Sequence, residues 1–273
     1  MNLQAGLYIV ATPIGNLKDI TIRALDTLRA SNSILCEDTR ITKILLEKYD
    51  IKSRLFVYND HSTINERQKV LEAIKQGDVV SLVSDAGTPL ISDPGYKLVQ
   101  YLQQNHCFVE VAPGACSVIA SLCLSGLPSD KFIFAGFVPR GAQEKVNFFS
   151  QVQNLPATAI FFDSAIRLQH SLQAAYQALG NRNAVIVREI SKLHQEVLKG
   201  TISDLLEILT SRQLKGEIVL LIDKGGHDFT QAEILEKLEI LTKEGISKSQ
   251  AARIIASMFD LNKNLVYQIT KNI

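Results

Sequence analysis

The first part of the chain alternates short apolar runs with amphipathic stretches. Five runs have the length and β-branched content of buried strands and are too short for helices: Leu7–Ala11, Ile34–Cys36, Leu55–Tyr58, Val79–Val83 and Phe108–Ala112. The stretches between them have helical periodicity, for example Thr42–Tyr49, and one opens with a capping box at Thr63–Glu66. Strands joined by helical crossovers form a parallel sheet. The pattern therefore predicts an α/β domain with one mainly parallel sheet.

The pattern changes after Pro113, and we place a domain junction between Pro113 and Pro128. Ala115–Leu124 is apolar enough for a buried helix. Further strands are predicted at Phe132–Val138, Thr158–Phe162, Ala184–Ile190, Glu196–Gly200 and Glu217–Asp223, and helices near Gln143–Val152, Ile166–Leu179 and Ser203–Leu209. The strands at Ala184 and Glu196 are only a few residues apart, which favours a hairpin.

The last stretch, Gln231–Ile273, is predicted to be helical and follows a predicted hinge at Gly225-Gly226. It contains a second capping box, Ser247–Gln250. The predicted organisation is an N-terminal α/β domain at 1–115, a C-terminal α/β domain at 116–225 and a helical extension at 226–273.

Polar loops follow the predicted parallel strands. The central strand ends in Ser84-Asp85-Ala86-Gly87-Thr88-Pro89, at the sheet edge where ligands bind in open α/β proteins. Gly87 lets backbone approach a ligand without a Cβ in the way. The alternative is an ordinary turn, in which Asp85 and Ser92 or Asp93 satisfy backbone donors and Pro94 opens the next helix. The residues alone leave both interpretations open.

Composition narrows the classes of function. The 273 residues are 46% hydrophobic and 21% charged, with a net charge of +1, so any nucleic-acid contact must rely on local patches and shape. No apolar run or leader pattern indicates a membrane or an export signal, and we expect a cytoplasmic protein. The four cysteines and five histidines lack metal-ligand spacing, so no metal is expected. Dinucleotide, P-loop and nucleophile-elbow motifs are also absent.

Five motifs occur in an order that is similar to a known family: Val10–Leu17 (VATPIGNL), Glu37–Arg40 (EDTR), Val83–Tyr96 (VSDAGTPLISDPGY), Ser125–Pro128 (SGLP) and Lys192–Glu196 (KLHQE). Together they resemble the branch of the tetrapyrrole methylase family that methylates a cytidine ribose 2′-hydroxyl in bacterial small-subunit ribosomal RNA. The resemblance covers nearly the whole chain. It implies two α/β domains that hold S-adenosylmethionine in their cleft, a homodimer, and small-subunit RNA or the 30S subunit as partner.

The resemblance also implies which residues line the cofactor. These are Pro13, Ser84, Asp85, Ala86, Gly87, Thr88, Ile91, Ser117, Val118, Phe162 and Asp163, with the Gly216–Ile218 region beside them. The chain departs from the branch in three places. Ile166 and Asn59 stand where histidines are usual, and Cys116 where a serine is frequent. Neither missing histidine can therefore be an indispensable base here.

Transfer of a methyl group to a ribose hydroxyl requires a group that accepts the hydroxyl proton. The candidates in sheet-edge loops are Glu37, Asp38, His61, Lys192, His194 and Glu196, with Arg40 and Arg140 for phosphate contacts. As a set they are supported by the resemblance. Alternatively, Glu37, Asp38 and Arg40 form a surface ion-pair cluster, and His194 and Glu196 lie on a solvated hairpin.

Two other functions fit parts of the sequence. Ser247–Met258 followed by Asp260–Tyr267 resembles a helix-turn-helix of a non-catalytic nucleic-acid-binding protein, although its second helix offers few base-reading arginines. A tetrapyrrole methyltransferase is the nearer alternative. The basic residues of the tail (Lys243, Lys248, Arg253, Lys263 and Lys271) would help to seat RNA, or the tail would only cover an apolar patch.

Overall fold

The computed structural model describes residues 3–224, 231–258 and 263–270. The chain forms two compact units, one of residues 1–153 with 157–223 and the other of residues 154–156 with 224–273. The predicted hinge at Gly225-Gly226 lies outside the described residues, as do Asp260–Asn262 of the predicted helix-turn-helix and Lys271.

The first sheet contains five parallel strands in the order β3-β2-β4-β1-β5. These are β1 (Gly6–Val10), β2 (Ser33–Cys36), β3 (Arg54–Val57), β4 (Val79–Leu82) and β5 (Val109–Ala112). The crossovers are α1 (Ile22–Ala30), α2 (Thr39–Lys48), α3 (Ile64–Lys75) and α4 (Tyr96–Gln104). Every residue of β4 is buried, as expected for a central parallel strand with helices on both faces. The prediction of a parallel α/β sheet is confirmed.

Two helices of this part begin elsewhere than the sequence indicated. The helix predicted from Pro94 starts at Tyr96, because Gly95 is its N-cap with φ of 131°, which interrupts the helical backbone. The interpretation of Pro94 as the first helical residue is therefore wrong. The helix α2 starts three residues before its predicted start at Thr42, because the Asp38 side chain caps it by accepting from the Arg40 N–H.

The second sheet is mixed, with the order β6-β7-β10-β8-β9. Its strands are β6 (Phe132–Phe137), β7 (Thr158–Ser164), β8 (Asn183–Arg188), β9 (Glu196–Thr201) and β10 (Glu217–Ile222). Its helices are α5 (Ser117–Ser125), α6 (Ala142–Ser150), α7 (Leu168–Leu179) and α8 (Ile202–Ser211). The strands β8 and β9 pair antiparallel as the predicted hairpin, and β10 runs antiparallel between β7 and β8.

The second unit is a small helical cluster. It contains α9 (Gln231–Lys243), α10 (Lys248–Met258) and α11 (Lys263–Thr270). Its apolar core includes Leu238 and Ile255, both almost fully buried, with Leu235 packed against them. At the start of α10, the Gln250 N–H donates to the Ser247 hydroxyl, which is one half of the predicted capping box. In the parts of the chain that the structure describes, no helix is long and apolar enough to cross a membrane.

Candidate functional site

Three loops at the carboxyl ends of the first sheet are hydrogen-bonded together. Thr12, after β1, and Gly87, after β4, exchange backbone hydrogen bonds of 2.8 and 3.1 Å. The Thr88 hydroxyl donates to the carbonyl of Ala115, after β5, at 3.0 Å. Since β4, β1 and β5 are neighbours in the sheet, topology brings these loops to one place and the hydrogen bonds fix them there.

Gly87 is required by its backbone and by its surroundings. Its φ of +85° lies in the left-handed region, and an added Cβ would approach Ile14 Cγ2 at 3.2 Å. The backbone of the loop is therefore open to a ligand at this point.

A cavity of about 270 Å³ lies above these loops, between the two sheets of the first unit. This volume is close to the lower end of the range for small-molecule sites. One side of the cavity is formed by loops of the first sheet and by the start of α5: Ile14, Asp85, Ala86, Gly87, Thr88, Ile91, Ser92, Asp93, Cys116 and Ser117. The other side is formed by strands of the second sheet and their loops: Phe137, Phe162, Asp163, Val187, Ile190, Glu217, Ile218 and Val219. The cavity is thus mainly apolar with a few acidic groups.

The ionised groups of the cavity wall are all acidic. Asp85, Asp93, Asp163 and Glu217 line it, and the described lining includes no Lys, Arg or His. Asp163 and Glu217 are paired with cations outside the lining, Arg167 and Lys192, so the negative field inside this mainly apolar wall comes chiefly from Asp85 and Asp93. The cavity therefore suits a ligand that is part apolar and part cationic. No group of three or more His, Cys, Asp or Glu within the described ranges is arranged to hold a metal ion.

Asp163 lies in the wall with one carboxylate oxygen unpaired. Its side chain is 0% exposed, and Oδ1 accepts from the Ser164 N–H at 2.8 Å and from Arg167 at 3.0 Å. The other oxygen, Oδ2, is buried and has no hydrogen-bond partner. Because an unsatisfied buried acceptor is costly, this atom is suited to a donor supplied by a ligand.

Asp93 is the most perturbed carboxyl group of the wall. Burial, and then the negative charges of Glu37, Asp85 and Asp60, raise its pKa to about 6, against a lowering by a hydrogen bond with Ser84. Burial also raises the pKa of Asp85, while the Asp38 N–H donates to Asp85 Oδ1 at 3.1 Å and lowers it. The alternative in which Asp85 satisfies a backbone donor is therefore also true of this loop.

The structure brings eight of the eleven predicted cofactor residues to the cavity wall: Asp85, Ala86, Gly87, Thr88, Ile91, Ser117, Phe162 and Asp163. Pro13, Ser84 and Val118 are buried behind it. Cys116, one of the departures from the branch pattern, lines the cavity, whereas Ile166 is 86% exposed and does not.

Glu37, Lys192 and His194, three of the candidates for proton transfer, and the phosphate-contact candidate Arg40 all lie outside the lining. Glu37, Arg40 and His194 are exposed, and Arg40 is ion-paired with Asp38 at 2.6 Å. Lys192 binds Glu189 at 3.1 Å and Glu217 at 2.9 Å. Burial lowers the pKa of Lys192, but these two carboxylates outweigh it and the net pKa is raised, so the ammonium stays protonated at neutral pH.

Sequence reasoning considered Asp93 only as a residue that satisfies a backbone donor, and it assigned no role to the apolar second-sheet wall of Val187, Ile190 and Val219. For Asp93, a signal was present, since it lies eight residues after Asp85 in the same strand-following motif. For the apolar wall, no signal was available, because these residues belong to ordinary buried strands and their neighbours.

Comparison with known proteins supports a family assignment. Residues 6–206 match the family model described as Tetrapyrrole (Corrin/Porphyrin) Methylases. A protein of Rickettsia prowazekii (strain Madrid E) named Ribosomal RNA small subunit methyltransferase I is 52% identical over 222 residues, covering 81% of this chain and 79% of the relative. A protein of the same name from Mesorhizobium japonicum (strain LMG 29417 / CECT 9101 / MAFF 303099) is 40% identical, and the match covers 97% of this chain and 91% of the relative.

Solved structures share the fold at low identity. Diphthine synthase superposes with a TM-score of 0.61 at 16% identity, covering 80% of this chain and 89% of that one. Uroporphyrin-III C-methyl transferase from Thermus thermophilus, in complex with S-adenyl homocysteine, superposes with a TM-score of 0.53 at 17% identity. The match covers 81% of this chain and 98% of that one.

The chain therefore belongs to the tetrapyrrole methylase family, and the fold and family expectations are confirmed. It is a methyltransferase, and its methyl donor is S-adenosylmethionine. The interpretation as a non-catalytic helix-turn-helix protein is wrong, because the family model spans both α/β sheets.

Proposed function

We propose that this chain methylates a cytidine ribose 2′-hydroxyl in small-subunit ribosomal RNA, presented in an assembled or partly assembled 30S subunit. The observation that carries the proposal is the identity of 52% and 40% to two relatives named for small-subunit ribosomal RNA, over most of each chain. A tetrapyrrole acceptor is the second candidate, and the solved tetrapyrrole methyltransferase supports it only at 17% identity.

We propose that S-adenosylmethionine binds in the cavity between the two sheets. Its sulfonium and ammonium groups are cationic, which matches a wall with four carboxylates. The residues proposed to hold it are Asp85 to Thr88, Ile91, Ser117, Phe162 and Asp163, supported from behind by Pro13, Ser84 and Val118. The unpaired Oδ2 of Asp163 supports this placement, since the cofactor carries N–H donors.

When bound, the cofactor supplies an electrophilic methyl group on a positively charged sulfur. The protein has then to hold the acceptor oxygen in line with that methyl group and to exclude water. The loop that contains Gly87 and the apolar second-sheet residues suit this task, because hydrogen bonds and packing fix them before any ligand binds.

The exposed candidates are proposed to meet the RNA outside the cavity. Glu37 and His194 lie in loops and Arg40 lies in the first turn of α2, and all three present their side chains to solvent. Arg40 offers a guanidinium for a phosphate if it exchanges Asp38 for the RNA. Lys192 is proposed to position Glu217 and the loop after β8. Its two carboxylate partners are Glu189, in that loop, and Glu217, at the start of β10.

The helical unit is proposed to assist in seating the RNA. Leu238 and Ile255 are buried inside this unit, so its apolar residues have a core of their own. Lys248 and Arg253 are exposed on α10. We also retain as proposals the division of the first unit into domains at 1–115 and 116–225, a homodimer and a cytoplasmic location.

Labelled S-adenosylmethionine tests the acceptor. We expect label in small subunits, less in naked ribosomal RNA and none in a tetrapyrrole precursor, with the ribose position mapped by resistance to alkaline cleavage. Label in the tetrapyrrole alone would overturn the proposal.

Truncation after Asp223 tests the tail: we expect cofactor affinity to persist while transfer to small subunits falls. A truncated chain that aggregates, or that methylates as well as the parent, would contradict the proposed role.

A further inference from the structure

The proton released by the acceptor hydroxyl has few possible destinations inside the cavity. Apart from the Cys116 thiol, the titratable groups of the described lining are Asp85, Asp93, Asp163 and Glu217. A general base must lie within reach of the proton that it takes. These four carboxylates are therefore better candidates for the proton acceptor than the exposed side chains outside the cavity.

Three of the four have a cation or a backbone N–H as partner, whereas the hydrogen bond of Asp93 is with the Ser84 hydroxyl. Asp163 is fully buried and uses Oδ1 for Arg167 and the Ser164 N–H. Glu217 has an 83% exposed side chain and is ion-paired with Lys192 at 2.9 Å. Asp85 accepts the Asp38 N–H, which stabilises its carboxylate and opposes the raising of its pKa by burial.

Asp93 differs in both position and surroundings. It is half-buried in the wall, beside Ser92 and two residues after Ile91, in a loop held by left-handed backbone at Leu90 (φ 73°), Ser92 (φ 64°) and Gly95 (φ 131°). The charged groups that interact with it come from three strand ends: Glu37 after β2, Asp60 after β3 and Asp85 after β4. All of them are acidic, so each favours the protonated form of Asp93.

We propose that the Asp93 carboxylate is the proton acceptor of methyl transfer, taking the 2′-hydroxyl proton of the acceptor ribose as the new bond forms. The proposal rests on the proposed acceptor, a ribose hydroxyl. The ribose oxygen forms a bond to the methyl carbon, the bond from that carbon to sulfur breaks, and its electron pair stays on sulfur. The sulfonium becomes a neutral thioether, the hydroxyl proton passes to Asp93, and the proton leaves to water before the next turnover.

The loss of the positive charge on sulfur during the transfer increases the proton affinity of Asp93. While the sulfonium is present, its positive charge favours ionised Asp93, and the base is ready. When that charge disappears, the acidic neighbours again favour the neutral acid, so the transferred proton is held. Asp93 therefore binds its proton more strongly after transfer than before it.

The test is Asp93→Asn in the full-length chain, with Asp130→Asn, an exposed carboxyl outside the cavity lining, as the matched control. We expect Asp93→Asn to bind S-adenosylhomocysteine within about threefold of the parent by calorimetry, and to transfer methyl groups to small subunits at least about 100-fold more slowly. In the parent, single-turnover rates should rise with pH to a plateau, and the residual rate of Asp93→Asn should lack that rise.

Each other result overturns the assignment. Transfer by Asp93→Asn within about tenfold of the parent would exclude Asp93 as the base while leaving the RNA acceptor standing. An equal loss of cofactor affinity and of transfer would make Asp93 a cofactor ligand instead. A parent chain that methylates no small subunit would remove the proposed acceptor, and the role of Asp93 with it.

Discussion

The Asp163–Arg167 pair offers a direct test of how the cavity wall is held in place. We consider Arg167→Met, which keeps most of the side-chain length and removes the charge. In the structure, Arg167 contacts the buried carboxylate at 3.0 Å and donates to the Val138 carbonyl at 3.1 Å and the Ser164 hydroxyl at 3.0 Å. The variant leaves Asp163 buried with a single hydrogen bond, from the Ser164 N–H.

Removing one partner of a buried ion pair costs about 3–5 kcal/mol, because the other charge remains buried and unpaired. The Arg167 side chain is 27% exposed, so solvent already screens part of the interaction. We therefore expect a loss of about 2–4 kcal/mol in the free energy of unfolding. For a chain of this size that corresponds to a fall in Tm of roughly 5–12 °C.

The assay is thermal unfolding followed by circular dichroism, with Arg40→Met as the control. Arg40 also binds an aspartate, but its side chain is 88% exposed, so its loss should leave Tm unchanged. The double variant Asp163→Asn, Arg167→Met should lose less than the sum of the two single variants, because the groups share one interaction. An Arg167→Met protein that melts within about 2 °C of the parent would refute the reasoning.

Two further predictions concern the same loop. The pKa of Asp93 is raised from 3.8 to about 6 in the folded state, so the stability linked to its proton is present below pH 4 and lost as pH rises through 6. Asp93→Asn should therefore be more stable than the parent at pH 8, by about 1 kcal/mol after allowance for solvent screening, and equal to it near pH 4; a constant difference would contradict this. Gly87→Ala should cost about 1–2 kcal/mol and weaken cofactor binding, since φ is +85° and Ile14 lies close. Gly77→Ala, with φ of +104° and an open surrounding, should lose stability but keep cofactor affinity.

Hydrophobic patterning predicted the fold well because strand type and connection type were both visible. The runs around Val79 and Leu7 were apolar at consecutive positions, which indicates strands buried on both faces, and each was followed by a helical stretch long enough for a crossover. Helix starts were less predictable. Asp38 was interpreted as part of a charged cluster, and its role as the N-cap of α2 was missed.

The candidate site was predicted only as far as topology determines it. The loops after β1, β4 and β5 converge because their strands are neighbours in a parallel sheet. The pairing of Lys192 with Glu217 could not be predicted, because β10 lies beside β8 in the sheet but is not next to it in the chain. The other partner, Glu189, is only three residues before Lys192. Lys192 and His194 were predicted as candidates from their place in a sheet-edge loop and from the resemblance, whereas the proposal for Asp93 rests on its position in the cavity wall and on its charged neighbours.

Backbone conformation separates the cavity loops from the rest of the molecule. Among the described residues, left-handed φ values in residues other than glycine occur at Asp50, Leu90, Ser92, His106, Glu189 and Ser191. Asp50 and His106 follow the ends of α2 and α4, where this conformation is a common helix terminator. The other four flank Ile91 and Ile190, which line the cavity from the two different sheets.

Two of the four lie in hydrogen-bonded turns, Leu90 in Thr88–Ile91 and Ser191 in Glu189–Lys192, and the left-handed conformation costs about 1–3 kcal/mol at each position. The fold must compensate for that cost through contacts elsewhere, such as the hydrogen bonds between Thr12 and Gly87 that fix the neighbouring loop. A wall built in this way cannot relax easily around whatever ligand enters. The two loops are therefore held ready for one bound geometry, which a methyl transfer requires because the attacking oxygen, the carbon and the leaving sulfur must lie in line.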